Sequence, residues 1–347
     1  MISISVCMIV KNEEEKLRIC VESLKGIYDE LIIVDTGSCD NTPAIADELG
    51  AKVYNYEWQD DFSAARNYAF SKAGCDYIYS ADADELIDEE NRKKFLILKK
   101  AMDTDIDVVQ MYYKGQLAFE SVYNYDKELR PKLFKRNRSF IWEGAVHEQV
   151  RLSPVVYDSD IEIIHAPGED HSERDLRYFR SSVERGDVLD ARLRDLYARQ
   201  LCKAGKKEDF ILAKDYFACV AEDTALSGDE VKQAFYVLAR AAKAEDDIHT
   251  FMKYALRDAC SEPCSEMCYE LGCHYSEKGD IKEAILWFHN AIYEAKPLLD
   301  LHRAGDTAYE RLISCSRSVG EFEAADFYEK ELKNWKKEQS EINGVHI

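Results

Sequence analysis

The sequence predicts an α/β domain with a mostly parallel, Rossmann-like sheet, followed by an all-α domain of paired helices. Two observations carry this. Through Ala81, short apolar runs alternate with segments of helical spacing, the pattern of βαβ units. From about Asp175 onward only helical periods remain. The division is expected in the polar stretch Glu169 to Glu173, after Pro167-Gly168, giving domains at 1–172 and 173–347.

Taken in order, Ile2 to Val10 is an apolar run that reads as a buried strand. It has no basic leader, and Lys11-Asn12-Glu13 brings charge at once, so a strand is expected there rather than a signal peptide. Glu13 to Leu24 places Leu17, Cys20, Val21 and Leu24 at helical spacing. Leu31 to Val34 is the second strand, ended by Asp35-Thr36-Gly37-Ser38. Asn41-Thr42-Pro43 starts a helix that runs to Gly50, with proline in its first turn. Lys52 to Trp58 is a third strand, Phe62 to Ala73 a helix, and Tyr77 to Ala81 a fourth strand. In such sheets ligands bind beyond the carboxyl ends of the strands, which directs attention to Asp35 and to Asp82 with Asp84.

The clearest helical segment is Ser265 to Pro297. Its Leu271, Gly272, Tyr275, Gly279, Ala284, Phe288 and Ala291 resemble a tetratricopeptide repeat, whose small residues let two helices cross closely. Weaker copies fall around Leu201, Ala213 and Phe217, around Leu238, Ala239 and Ala255, and around Ala325 and Tyr328. Stacked pairs of this kind make a short solenoid with an extended binding surface.

Composition bounds the function. The chain has 347 residues, 46% hydrophobic and 33% charged, as in ordinary globular proteins. Its net charge of −21 argues against nucleic acid or an anionic lipid surface as partner, since both need a basic footprint. No apolar run reaches the roughly 18 to 20 residues that span a bilayer, so no transmembrane segment and a cytoplasmic location are expected. The 11 cysteines are scattered rather than arranged as a disulfide scaffold. Cys260, Cys264 and Cys268, spaced by four, are expected on one helical face as small buried packing residues.

The chemistry centres on Asp82-Ala83-Asp84, directly after the fourth strand. Two carboxylates so placed can hold a hard divalent cation against a diphosphate, and Mg²⁺ or Mn²⁺ suits few carboxylates plus phosphate oxygens and water. A solvated acidic turn is the alternative, since Glu85 and Asp88 follow.

Four segments together resemble the family-two glycosyltransferases of the GT-A fold, over roughly residues 1 to 165. They are Ser5 to Glu13, Leu31 to Thr42, Phe62 to Ala69 and Tyr79 to Glu85, in the family's order. Within that family, members joined to helical repeats include bacterial peptide S-glycosyltransferases of the sublancin type. The resemblance implies a nucleotide-diphosphate sugar as donor, a UDP-sugar by family habit, with Mn²⁺ or Mg²⁺. Backbone around Met8, with Glu13 beyond it, would border the nucleotide. Asp35 would meet the base or ribose, with Thr36 where many relatives carry a second aspartate. Arg66 would bring positive charge to the nucleotide, Asp82 would lie near ribose and metal, and Asp84 would be the more direct metal ligand. A histidine in a Val-His-Glu context often completes that site, which implies His147, with His165 at the end of Ile161 to Ile164 as its competitor.

Family-two enzymes typically invert the anomeric centre, which requires a carboxylate to take the acceptor's proton. Glu143, Glu148 and Asp170 are the candidates, with Glu143 preferred; a cysteine acceptor would ask less of the base. The tyrosine-rich Tyr112 to Tyr125 is the expected acceptor surface, and the helical half is expected to recruit a peptide, protein or glycan acceptor or a second copy of this chain. A sugar-phosphate nucleotidyltransferase would carry a glycine-rich, arginine-bearing loop after the first strand, and a Rossmann dehydrogenase a Gly-x-Gly-x-x-Gly turn. Lys11-Asn12-Glu13-Glu14 stands there instead. The non-enzyme alternative is a nucleotide-sugar-binding adaptor acting through its repeats, and intact Asp82, Asp84, Arg66 and His147 count against it.

Overall fold

The computed structural model describes residues 1–114, 127–138, 142–143, 149–150, 154–165, 172–260 and 262–342. The chain divides into two compact units near residue 170.

The first unit opens with β1 (Ile4–Val10), α1 (Leu17–Ser23), β2 (Glu30–Asp35), α2 (Thr42–Glu48), β3 (Lys52–Asn55), α3 (Phe62–Ser71) and β4 (Tyr77–Ser80). Every expected element is present. Helix α1 is regular from Leu17 rather than Glu13; turns precede it, in which the Leu17 amide already donates to the Glu13 carbonyl. There follow β5 (Glu85–Leu86), α4 (Glu89–Ala101), β6 (Val108–Lys114), β7 (Lys127–Lys135), β8 (Trp142–Glu143), β9 (Gln149–Val150) and β10 (Val156–His165). Eight strands form one sheet in the order β3-β2-β1-β4-β7-β6-β10-β5, and β8 pairs with β9 apart from it. Strands β3, β2, β1 and β4 run parallel, as the βαβ pattern requires. Beyond β4 the sheet is mixed: β7 is antiparallel to β4 and β6, β10 is parallel to β6, and β5 is antiparallel to β10.

The strands are apolar on both faces because both faces are covered. Val6, Met8 and Val10 of β1 pack with Leu17, Val21 and Leu24 on one side. Cys7, Ile32, Val34 and Ile78 pack with Ala69 of α3 on the other. Helices α3 and α4 begin at Asp61 and Asp88, whose carboxylates accept the amide hydrogens of Ala64 and Asn91.

The second unit is helical: α5 (Ser172–Arg185), α6 (Ala191–Ala204), α7 (Lys207–Glu222), α8 (Gly228–Ala244), α9 (Ile248–Ala259), α10 (Ser265–Glu277), α11 (Ile281–Tyr293), a 3₁₀ turn (Leu301–Ala304), α12 (Asp306–Ser318) and α13 (Phe322–Ile342). Of the expected repeat copies, Leu201 lies on α6 with Ala213 and Phe217 on α7, Leu238 and Ala239 on α8 with Ala255 on α9, the clearest spans α10 and α11, and Ala325 and Tyr328 lie on α13; α7 packs chiefly on α8. In α10/α11 the backbone of Gly272 lies against the ring of Phe288, which is fully buried with Ala284 and Ala291. Gly279, at φ +81°, makes the turn between them.

The cysteine expectation holds for the burial of Cys264 and Cys268 but not for a shared helical face. Cys260 ends α9 and is exposed, Cys264 precedes α10, and only Cys268 lies within that helix. Pro263, which has no amide hydrogen, interrupts the run, so spacing by four does not mean one face here. Among the described residues, no helix is long and apolar enough to cross a membrane.

Candidate nucleotide-sugar site

The carboxyl ends of β1, β2 and β4 carry the polar residues that the sequence singles out. At the end of β2, Asp35 is buried and its carboxylate accepts the amide hydrogens of Gly37 and Ser38. Gly37 has a φ of +102°, a conformation that favours glycine, so the turn after β2 closes tightly around the aspartate. Thr36 is buried as well, and its hydroxyl and amide both donate to the carbonyl of Val10. Its side chain is therefore engaged in joining the ends of β1 and β2.

The two loops beyond these strands are stitched together. Asn12 receives the Cys39 amide on its Oδ1 at 2.8 Å and donates its own amide to Ser38 Oγ at 2.9 Å. The amide of Glu13 donates to Thr42 Oγ1 at 2.7 Å, and Glu14 accepts from Asn41. Met8 is placed differently from the expectation. It lies inside β1, fully buried and opposite Ile33, while the strand's open end is formed by Val10 and the residues after it.

The Asp82-Ala83-Asp84 segment leaves β4 in a turn closed by the Glu85 amide donating to the Asp82 carbonyl. Arg66 is buried rather than lying on a helix surface. Its Nη1 donates to Ser80 Oγ at 2.6 Å and its Nη2 to Asp82 Oδ1 at 3.3 Å. The other carboxylate oxygen of Asp82 faces Lys132 Nζ at 4.0 Å, and the same ammonium donates to Glu85 Oε1 at 2.5 Å. Burial alone would push the Asp82 carboxyl up, but Arg66 and Lys132 outweigh it and hold the group well below the usual carboxylate range. For Glu85 the balance goes the other way. Burial, helped by the charge of Asp82, raises its pKa even though Lys132 opposes the shift.

Asp84 and His165 meet at the edge of the site, with His165 Nε2 3.3 Å from Asp84 Oδ2. His165 ends β10, where it pairs in register with Glu85, and its ring lies 5.0 Å from that of Tyr113. Its Nδ1 is buried with no hydrogen-bond partner among the described residues. A carboxylate and an imidazole are donors that Mn²⁺ or Mg²⁺ accepts, so this pair fits a divalent cation. Among the described residues, no three His, Cys, Asp or Glu side chains converge in a metal-holding group.

The site thus brings Arg66, Asp82, Asp84 and His165 to one end of the sheet, together with Lys132 and Glu85. The sequence marks Glu85 only as part of an acidic turn and does not single out Lys132. The signal for Lys132 was the proline before it, since a proline inside a strand run marks an edge or a bulge. Glu143 lies on β8, which packs against α3, the helix that carries Arg66. His147, Glu148 and Asp170 lie outside the described residues, as does most of the Tyr112 to Tyr125 segment.

Parts of the chain are similar to known proteins. Residues 5–151 match the profile of glycosyl transferase family 2. A TPR repeat-containing protein of Synechococcus elongatus is 55% identical over 85 residues, covering 24% of this chain and 21% of that protein. The SPbeta prophage-derived glycosyltransferase SunS of Bacillus subtilis is 30% identical over 154 residues, covering 42% of this chain and 34% of that one. The chain therefore spans about a fifth and about a third of the lengths of these two relatives. A crystal structure of glucosyl-3-phosphoglycerate synthase from Mycobacterium tuberculosis, with Mn²⁺ and UDP-glucose, aligns at a TM-score of 0.40 and 15% identity, over 55% of this chain and 81% of that one. Residues 5–151 are thus similar to family 2 glycosyl transferases, and a helical region follows them in the chain.

Proposed function

We propose that this chain is a metal-dependent glycosyltransferase that moves a sugar, with inversion, from a uridine diphosphate donor to a peptide, protein or glycan acceptor. The observation that supports it is the meeting of two kinds of group at one strand end. Asp84 with His165 can bind a cation, and the buried cations Arg66 and Lys132 surround Asp82. A donor of this class presents a diphosphate, which needs positive charge, and a ribose, which needs acceptors. Asp82 and Glu85 match the charges of Arg66 and Lys132, so in a chain of net charge −21 the cation at Asp84 and His165 is what answers the diphosphate.

In this reading Asp84 and His165 hold Mn²⁺ or Mg²⁺, which when bound supplies Lewis-acid stabilisation to the departing diphosphate. His147 remains a further imidazole for the same ion. Asp35, already committed to two amides of its own turn, offers its remaining lone pairs to the base or ribose. Arg66 orients Asp82 towards the ribose. The acceptor's proton passes to a carboxylate among Glu143, Glu148 and Asp170, with Glu143 favoured because β8 lies against α3. The helical region recruits the acceptor or a second copy of this chain, and the reaction belongs in the cytoplasm, where sugar nucleotides are made.

Calorimetric titration with a panel of sugar nucleotides, in Mn²⁺ and again with chelator, tests the reading. Binding of one donor that chelator abolishes supports it. If neither a sugar nucleotide nor UDP binds in Mn²⁺, the reading is wrong.

A further inference from the structure

Lys132 owes its position to an irregularity of β7. Against β6, Leu133 pairs with Val109 and Pro131 with Gln110, so Lys132 is the extra residue of a β-bulge. Pro131 has no amide hydrogen to donate to a ladder, which suits the break. The bulge changes which side chains share a face. Leu133 packs in the core cluster that contains Tyr113, and Arg130, three residues away, covers the Tyr113 ring at 4.1 Å. In a regular strand, residues an odd number apart point to opposite faces. Bulges often re-aim a side chain next to a functional site.

The side chain so placed is 5% exposed and reaches two carboxylates at once, Glu85 and Asp82. These do different work. Glu85 accepts the Asp82 amide hydrogen on Oε2 at 3.3 Å, so it holds the backbone of the turn. Lys132 faces Asp82 Oδ2 while Arg66 holds Oδ1. The two oxygens of Asp82 thus lie between two buried cations that arrive from different strands and helices. A carboxylate so engaged is a poorer ligand for a third cation than Asp84, whose partner is a histidine.

We propose that Lys132 is a positioning residue for donor binding: it fixes the Asp82 carboxylate from the side opposite Arg66, orienting it towards the nucleotide and leaving the divalent cation to Asp84. This inference rests on the donor-binding reading given above. The competing explanation is that Lys132 only neutralises Glu85, a buried carboxylate that would otherwise lack a counterion.

Titration of the full chain with UDP in Mn²⁺ separates them, with thermal unfolding measured in parallel. Lys132→Met is expected to weaken UDP binding by about tenfold, the order expected for a charge contact near 4 Å in a partly screened site. Lys132→Arg, which keeps the charge, is expected to bind UDP more tightly than Lys132→Met. The decisive variant is Lys132→Met with Glu85→Gln, which removes both buried charges and keeps an acceptor for the Asp82 amide. It also serves if the single variant fails to fold. UDP affinity still down about tenfold in the double variant supports positioning of Asp82. Recovery to the wild-type affinity overturns it, since neutralising Glu85 was then the whole role. Wild-type affinity in Lys132→Met overturns it too, while the donor-binding reading survives. Only failure of the wild-type chain to bind UDP would remove both.

Discussion

Replacing Gly272 with alanine tests the helix pairing on which the second unit depends. An added Cβ would stand 2.7 Å from Cδ1 and Cε1 of Phe288 and 3.0 Å from its Cγ. Ordinary contact begins near 3.4 Å, so the ring or the helix must give way by several tenths of an ångström. Phe288 cannot swing clear, because it is fully buried among Tyr269, Ala284 and Ala291. Overpacking of this kind costs about 1–3 kcal/mol. Against it stands the gain in helix propensity on leaving glycine, about 1 kcal/mol. The net expectation is a loss of about 1 kcal/mol. Gly228→Ala is the control, since a Cβ there meets nothing within 4 Å. Native-state hydrogen exchange of the α10 and α11 amides reads the change locally, which avoids assuming that the two units unfold together. Equal or stronger protection in Gly272→Ala than in the wild-type chain would refute the close-crossing argument.

Other expectations follow from single contacts. Asp84→Asn and His165→Ala should each weaken Mn²⁺-dependent UDP binding by about tenfold or more, read by calorimetry, while leaving thermal unfolding close to wild type. Glu266, fully buried, accepts the amide hydrogens of Leu298, Leu299 and Asp300 on one oxygen. Burial raises its pKa in spite of those amides, so Glu266→Gln, which keeps an acceptor and removes the charge, should change stability by less than about 1 kcal/mol, whereas Glu266→Ala should cost about 3 kcal/mol or more. Urea unfolding of the two variants checks the contrast. Asp107 accepts from Arg138 and from the Val155 amide, and the Arg138 contact foremost lowers its pKa to about 2. A depressed carboxylate stabilises the fold above its unfolded pKa, near 3.9, and that contribution disappears as pH falls towards 2. Asp107→Asn should therefore flatten stability against pH between about 4 and 2, measured by acid-induced unfolding.

How far the sequence reveals the molecule depends on whether a feature is local. Strands β1, β2 and β4 are continuous apolar runs, and the residues that end them, Asp35 and Asp82, could be named from order alone. Repeat helices were legible because Gly272 and Phe288 keep a fixed spacing that only a tight crossing needs. Lys132 was legible only as a bulge, from Pro131 before it, because its role depends on which neighbours β7 takes. The contact of His165 with Asp84 has the same origin, since β10 brings it back to β5 across a long stretch of chain. Spacing misled for Cys260, Cys264 and Cys268, where a proline between regular positions broke the helix.

The seam between the loops after β1 and β2 has a consequence for affinity. Asn12, Glu13 and Glu14 on one side and Ser38, Cys39, Asn41 and Thr42 on the other are already bonded to each other before any ligand arrives. In the proposed reading, a nucleotide entering there meets a floor set during folding, so little conformational entropy is lost on its arrival. In that reading the base end of the donor meets prearranged chain, and any closing movement falls to other parts of the sheet end.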